Sequence, residues 1–367
     1  MLRNGTVVSF GDNRYGQLGR VSGEWGGSEG EWRPQPVEGL EGEKVVGVVC
    51  ENFLSAAWTE EGKLFMWGRG EEGQLGLGDT ENWHNASLVS AAVLEGEAVT
   101  QVALGGRHTL IACRSGRLFS WGGNRYGQLG NGRSGSFSDD RSTNETRPVE
   151  VVVGTGEERV VSVAAGLRYS LVLTSSGKVF GFGYNGRGQL GLGSSETFFS
   201  TPQWVKKLPG GVAEIAAGME HSFVRVDDGR VFSFGYNLEG RLGLGHTSEQ
   251  REPVEVAGVR AERLWKGGSG SSFSLLMTEG GVVGAGWNGE GQLGLGGGGS
   301  FSRSELSFVP MLALDVDECA VIAATGGHCD ARAICRDTVG SFVCECPHRS
   351  SSSGDGTLCV GAPSLVA

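Results

Sequence analysis

One tetrapeptide constrains this chain more than any other feature. Gly-Gln-Leu-Gly occurs at Gly16–Gly19, Gly73–Gly76, Gly127–Gly130, Gly188–Gly191 and Gly291–Gly294, and Arg241 replaces the glutamine in a further copy at Gly240–Gly243. Successive copies start 57, 54, 61, 52 and 51 residues apart. A period of roughly fifty, built from short apolar stretches and glycine turns, describes a unit that buries its faces only against copies of itself. Propellers and related arrays meet that demand; a single-core enzyme does not.

Each unit reads as four short strands. In the copy ending at Gly191 they are Arg147–Val151, Val160–Ala165, Tyr169–Thr174 and Lys178–Gly183, separated by Gly, Ser and Pro signals. Such spacing predicts a four-stranded antiparallel meander. The last strand reads KLFMW at 63–67, RLFSW at 117–121, KVFGF at 178–182 and RVFSF at 230–234. One face carries Leu or Val and then a mostly small residue; the other carries Phe and then Trp or Phe. With both faces apolar, each sheet has to lie between two neighbours, large rings opposite small side chains.

The repeated turn has a mechanical reading. Its glycines permit positive φ, its Leu plugs the apolar edge of the sheet, and its Gln amide bonds backbone groups that have no ladder partner. A phosphate cradle is excluded, because no Lys-Ser/Thr and no helix follow the glycines. At the start of the third strand of the first four complete units stand Leu54, His108, Tyr169 and His221. The exchange of His for Leu and Tyr predicts a partly buried, hydrogen-bonded structural position without a catalytic role. The repeats hold no Ser/His/Asp set, paired carboxylates or His–Cys metal spacing, so no enzyme is expected.

The stretch Val163–Gly193, VAAGLRYSLVLTSSGKVFGFGYNGRGQLGLG, resembles the repeat of the regulator of chromosome condensation family, as do Val102–Gly132 and Val212–Gly245. Six copies cover residues 5–314. The resemblance implies an all-β fold, a β-propeller of four-stranded antiparallel blades, in that family usually seven. This chain has five complete units ending at Gly76, Gly130, Gly191, Gly243 and Gly294. A sixth is partial: its last strand is Thr6–Gly11, and Phe308–Leu314 is a candidate first strand. The ring is expected to be incomplete, with unpaired edges. The chain starts inside a repeat, which suggests a truncated N-terminus.

Charge narrows the partners. The formal net charge is −11, of which residues 315–367 contribute −4 through seven acids and three basic residues. A chain this acidic lacks the Lys/Arg clusters of a nucleic-acid binder. It has no apolar run long enough to span a membrane, and MLRNGTVVSFG is no signal peptide. Cys50 and Cys113 lie in the repeats and read as buried small hydrophobes. The other six cysteines crowd into residues 319–359. That density in so short a stretch is a disulfide framework with fifteen possible pairings.

This C-terminal stretch carries Asp315-Val316-Asp317-Glu318-Cys319 and then Cys335-Arg336-Asp337-Thr338-Val339-Gly340-Ser341-Phe342-Val343-Cys344-Glu345-Cys346. It resembles a calcium-binding epidermal-growth-factor-like domain. The resemblance implies the pairing Cys319–Cys335, Cys329–Cys344 and Cys346–Cys359. It also implies Ca²⁺ held by the side chains of Asp315, Glu318 and Asp337 and the carbonyls of Val316, Thr338 and Ser341, an all-oxygen set suited to that ion. Asp337 matches the family's β-hydroxylation position, and Phe342 its residue near the inter-domain joint. The loop between Cys346 and Cys359 departs from the family in lacking its aromatic residue. The domains expected are therefore a propeller at 1–314, the calcium-binding module at 315–360 and a tail at 361–367. Asp315 follows Leu314 directly, so calcium is expected to stiffen the joint.

Three functions compete. The first is a calcium-binding, non-enzymatic interaction scaffold of the secretory pathway or cell exterior, its protein partner on a propeller face. Disulfides need an oxidising compartment, and sequons at Asn4, Asn85 and Asn144 agree. The second is cytoplasmic or nuclear: a guanine-nucleotide exchange factor for a small GTPase, with Ser134–Thr146 as its candidate wedge, or a ubiquitin-pathway or signalling adaptor. The third, an enzyme, has only fold analogy behind it.

Overall fold

The computed structural model describes residues 1, 5–21, 31–135, 141–265, 272–289, 291–295 and 304–311 and, as backbone alone, 334–338 and 341–345. Every element among them is a β-strand or a turn. Five four-stranded antiparallel sheets follow one another along the chain. The first is β3 (Val45–Glu51), β4 (Leu54–Thr59), β5 (Leu64–Gly68) and β6 (Trp83–Leu88). The second is β7 (Val99–Leu104), β8 (His108–Cys113), β9 (Leu118–Gly122) and β10 (Glu145–Val151). The third comprises β11 (Val160–Ala165), β12 (Tyr169–Thr174), β13 (Val179–Tyr184) and β14 (Phe198–Trp204). The fourth runs through β15 (Val212–Ala217), β16 (His221–Val226), β17 (Arg230–Gly235) and β18 (Gln250–Arg260). The fifth is β19 (Arg263–Leu264), β20 (Phe273–Thr278), β21 (Gly281–Gly286) and β22 (Glu305–Pro310). Ahead of them, β1 (Val8–Gly11) pairs with β2 (Glu31–Pro36), a sheet of two strands among the described residues, and the ring is open.

The blades are propeller blades, but their phase differs by one strand from the sequence repeat. Arg147–Val151 was expected to open the unit that ends at Gly191; instead β10 pairs with β9 and closes the preceding sheet. Phe308 likewise belongs to β22, the fourth strand of the fifth sheet, and starts no closing blade; residues 312–314 lie outside the described ones. The physical reason is the exposed outer edge. Pro148, Pro202, Pro253 and Pro310 sit in fourth strands, where a missing N–H is tolerated.

First strands β3, β7, β11, β15 and β19 pack successively against one another at the inside of the array. Between sheets the faces interlock as the ring pattern requires. Phe180 and Phe182 of the third sheet pack on Leu110, Ala112 and Leu118 of the second. Phe232 and Phe234 of the fourth pack on Leu171, Val179 and Leu190 of the third. Burying one such side chain is worth about 1.5–3 kcal/mol.

Among the described residues the N-terminal end of the array lacks that cover. Val48 and Cys50 correspond in register to Val102 and Leu104, which pack against the preceding sheet. The sheet before β3 has only two strands among the described residues, so Val48 and Cys50 are exposed. Cys113 is buried as expected, and Cys50 is the correction.

Candidate interaction face and calcium hairpin

In an antiparallel four-stranded blade, the hairpin joining strands one and two and the loop joining strands three and four leave from the same edge of the sheet. All Gly-Gln-Leu-Gly turns therefore share one face with Phe53, Arg107, Arg168 and Glu220. The turns themselves follow the mechanical reading. Gln74, Gln128 and Gln189 each accept through Oε1 the backbone N–H two residues earlier, at 2.8, 2.9 and 3.0 Å. Leu75, Leu129, Leu190 and Leu242 are buried. Gly127 and Gly130 have φ of +76° and +70°, in the left-handed region where L side chains are strained.

Each turn also clamps the next blade. The carbonyls of Gln74, Gln128, Gln189 and Arg241 accept the hydroxyls of Thr109, Ser170, Ser222 and Ser274 at 2.8, 2.7, 2.7 and 2.9 Å. A second contributor escaped the reading of the motif. The Asn that stands three residues before five of the six turns accepts the Leu N–H through Oδ1, as Asn124 does from Leu129 at 3.1 Å and Asn237 from Leu242 at 2.9 Å; the copy at Gly73–Gly76 has Gly70 there instead. Its signal was present in the repeat, at a fixed distance before Gly-Gln-Leu-Gly.

The histidine positions are wholly buried, more than the partial burial expected. His108 Nε2 lies 2.9 Å from Ser170 Oγ of the next sheet, and His221 Nε2 lies 2.8 Å from Ser274 Oγ. Tyr169, at the equivalent position, donates to the carbonyl of His221, and its Oη lies 3.0 Å from Ser222 Oγ. A Cβ on Gly105 would sit 2.3 Å from His108 Cε1, which accounts for the glycine in that hairpin. Burial pushes both imidazoles down to about 3, with the Arg241 charge a lesser cause at His221. These side chains join blades and face no solvent.

The exposed part of the face is built from Arg and aromatic rings. Arg69 lies 5.1 Å over the Tyr15 ring, Arg168 5.2 Å over Tyr126, and Arg187 4.8 Å over Tyr236. Tyr126 in turn meets Tyr184 edge-on at 5.1 Å. Arg69 and Arg187 also pair with carboxylates, Glu71 at 2.6 Å and Glu249 at 2.7 Å, so ring and ion pair together hold each guanidinium in place.

At the C-terminal end, β23 (Ile334–Thr338) and β24 (Ser341–Glu345) form a hairpin around residues 339–340. Its register sets Thr338 opposite Ser341, Asp337 opposite Phe342 and Cys335 opposite Cys344. Asp337, Thr338 and Ser341, three of the six residues expected to supply oxygens, thus stand at one end of the hairpin. Asp315, Val316 and Glu318 lie outside the described residues, as do Cys319, Cys329, Cys346 and Cys359. Among the described residues no group of three His, Cys, Asp or Glu side chains is placed to hold a metal.

A family profile described as an RCC1-like domain matches residues 1–331. The chain belongs to the RCC1-like domain family. A second profile, a calcium-binding EGF domain, matches residues 315–359. The chain is 34% identical to the ultraviolet-B receptor UVR8 of Arabidopsis thaliana over 294 residues, 79% of this chain and 62% of the receptor. It is 36% identical to the human probable E3 ubiquitin-protein ligase HERC6 over 259 residues, 70% of this chain and 24% of the ligase. The chain thus spans less than two thirds of the length of either relative. Human WBSCR16 superposes with a TM-score of 0.62 at 28% identity, over 72% of this chain and 65% of that one. Yeast RCC1, solved bound to Kap60, superposes with a TM-score of 0.70 at 22% identity, over 85% of this chain and 72% of that one, and shows the fold.

Of the Ser134–Thr146 stretch, residues 136–140 lie outside the described ones; the rest folds back, with Asn144 Nδ2 2.7 Å from Glu72 Oε2 and its Oδ1 taking the Asn124 N–H at 3.0 Å. Both ends of the Asn144 amide are thereby engaged, whereas Asn85 is exposed on β6 and Asn4 lies outside the described residues. No helix among the described residues is long and apolar enough to cross a membrane.

Proposed function

We propose that this chain is a calcium-binding, non-enzymatic interaction scaffold of the secretory pathway or cell exterior. Its RCC1-like blades present the Arg-aromatic loop face to a protein partner, and the C-terminal module holds Ca²⁺ at its start. The observation that carries this reading is the calcium-binding EGF match over 315–359, whose bounds enclose all six oxygen donors named from the sequence. Asp315, Glu318 and Asp337 would supply carboxylates; Val316, Thr338 and Ser341 would supply carbonyls. When bound, the ion cross-braces the first residues of the module to the hairpin; these residues offer oxygens and perform no reaction.

Titration calorimetry on the full chain with its disulfides intact tests this. A dissociation constant of about 10⁻⁴–10⁻³ M is expected, typical of extracellular modules. Asp337→Ala is expected to weaken it at least tenfold. Absence of any calcium-dependent heat in the oxidised protein overturns the calcium reading.

A second reading, an intracellular adaptor or nucleotide-exchange factor, draws support for its adaptor form from relatives that carry the names of E3 ligases. The redox state of the C-terminal cysteines separates the two.

A further inference from the structure

On the loop face, four guanidinium groups surround a single carboxylate in a cavity of about 140 Å³. Glu72 comes from the first four-stranded sheet, Arg107, Arg125 and Arg141 from the second, and Arg168 from the third. The carboxylate is already spent. Glu72 is buried, with Oε1 2.6 Å from Arg107 Nη1 and 3.7 Å from Arg141 Nη2, and with Oε2 taken by Asn144. Arg168 is exposed, stacked on Tyr126, and has no carboxylate in ion-pair range among the described residues. The cavity therefore concentrates positive charge on a chain whose net charge is −11.

We propose that this cavity takes a carboxylate side chain from an acidic segment of a protein partner, which deepens the scaffold reading above and rests on it. Charge complementarity names the ligand. Guanidinium forks match carboxylates in two parallel hydrogen bonds, and the Arg107–Glu72 pair displays that affinity within the molecule itself. Salt screens charges beyond roughly 8 Å, so a short acidic segment feels the four arginines more than the acidic remainder of the chain. A long polyanion would instead run across that remainder and be repelled.

Fluorescence polarisation of the full chain with a labelled Asp/Glu-rich hexapeptide is the test, against the same peptide with Asn and Gln and against a labelled twelve-residue oligothymidylate. Binding of the acidic peptide alone is expected. Arg168→Glu should weaken it at least tenfold, whereas Lys44→Glu, an exposed site at the opposite edge of the first sheet, should leave it within twofold. Arg168→Gln gives the same reading should charge reversal prevent folding, and thermal melting of each variant verifies the fold. Equal binding of the amide peptide, or an Arg168 variant that folds and binds like wild type, overturns the proposal. Oligothymidylate captured in preference to the peptide also overturns it and reassigns the cavity to phosphate. None of these arginines belongs to the calcium set, so peptide binding and calcium binding fail independently.

Discussion

His221 Nε2 lies 2.8 Å from Ser274 Oγ, joining the fourth four-stranded sheet to the fifth through two buried polar groups. The serine has one proton, and it goes to the Arg241 carbonyl at 2.9 Å. The imidazole must therefore donate from Nε2, leaving Nδ1 the unprotonated nitrogen. His108 repeats the arrangement one interface earlier, since Ser170 donates to the Gln128 carbonyl. Neither Nδ1 has a hydrogen-bond partner among the described residues, so a second proton there would be buried without an acceptor.

A pH dependence follows with a definite sign. The unfolded histidines take protons below about 6.5, whereas burial holds the folded ones neutral down to about 3. Between those values the unfolded state binds more protons, so stability falls as the pH drops through that window. At pH 5 the loss is about 2 kcal/mol per histidine. Urea midpoints at pH 7 and pH 5 measure it. Replacing both histidines by Gln should lower the pH 7 midpoint and flatten the difference; an unchanged pH dependence in that variant would refute the assignment.

The Asn of the repeat should matter more than its Gln. Asn185 is fully buried, accepts the Leu190 N–H at 3.2 Å and donates to the carbonyls of Ser194 and Glu196 at 3.3 and 3.1 Å. Asn185→Ala orphans three backbone groups and is expected to cost about 2–4 kcal/mol. Gln189 makes one such bond, to the Arg187 N–H at 3.0 Å, and its Nε2 is already without a partner among the described residues. Gln189→Ala should cost about 1 kcal/mol. Denaturant titration of the two variants ranks them, and the reverse order would count against the role given to Asn185.

Blade number and face chemistry were legible because a two-residue alternation of large and small side chains has few ways to pack. KVFGF at 178–182 states both neighbours of its strand. The phase of the blade was not legible. Arg147–Val151 is an edge strand in either assignment, and its alternation does not name the sheet it closes. The Arg-aromatic face was hidden for a different reason: Arg107 and Arg168 stand before His and Tyr in the first hairpins of successive sheets, Tyr126 before Gly127 in the loop between β9 and β10, and only the shared sheet edge brings them together. Cys50 misled because its own strand looks like the others, while the sheet that would cover it lacks two strands among the described residues.

Thiol chemistry separates the compartments. Cys113 is buried, and desolvation pushes its thiol up to about 12, whereas Cys50 is exposed. A disulfide reagent at pH 8 should modify Cys50 in the folded protein and reach Cys113 only in denaturant. With the C-terminal six bridged as the family pairing implies, the denatured, unreduced protein should show two free thiols in total. A count of eight would favour the intracellular reading.

Calcium should also be felt at the joint between the blades and the module. Asp315 directly follows Leu314, and three proposed donors, Asp315, Val316 and Glu318, lie within four residues of that point. Their partners, Asp337, Thr338 and Ser341, sit at the end of the β23–β24 hairpin. An ion shared by the two groups fixes the first residues of the module to its sheet, and a fixed backbone is a poor protease substrate, because cleavage requires local opening. Limited proteolysis around residue 314 should therefore be slower with millimolar calcium than with chelator. Asp337→Ala should cleave at the chelator rate under both conditions, while a cut elsewhere in the blades stays unchanged. Equal cleavage with and without calcium in a protein whose calorimetry shows binding would detach the ion from the joint and confine it to the module.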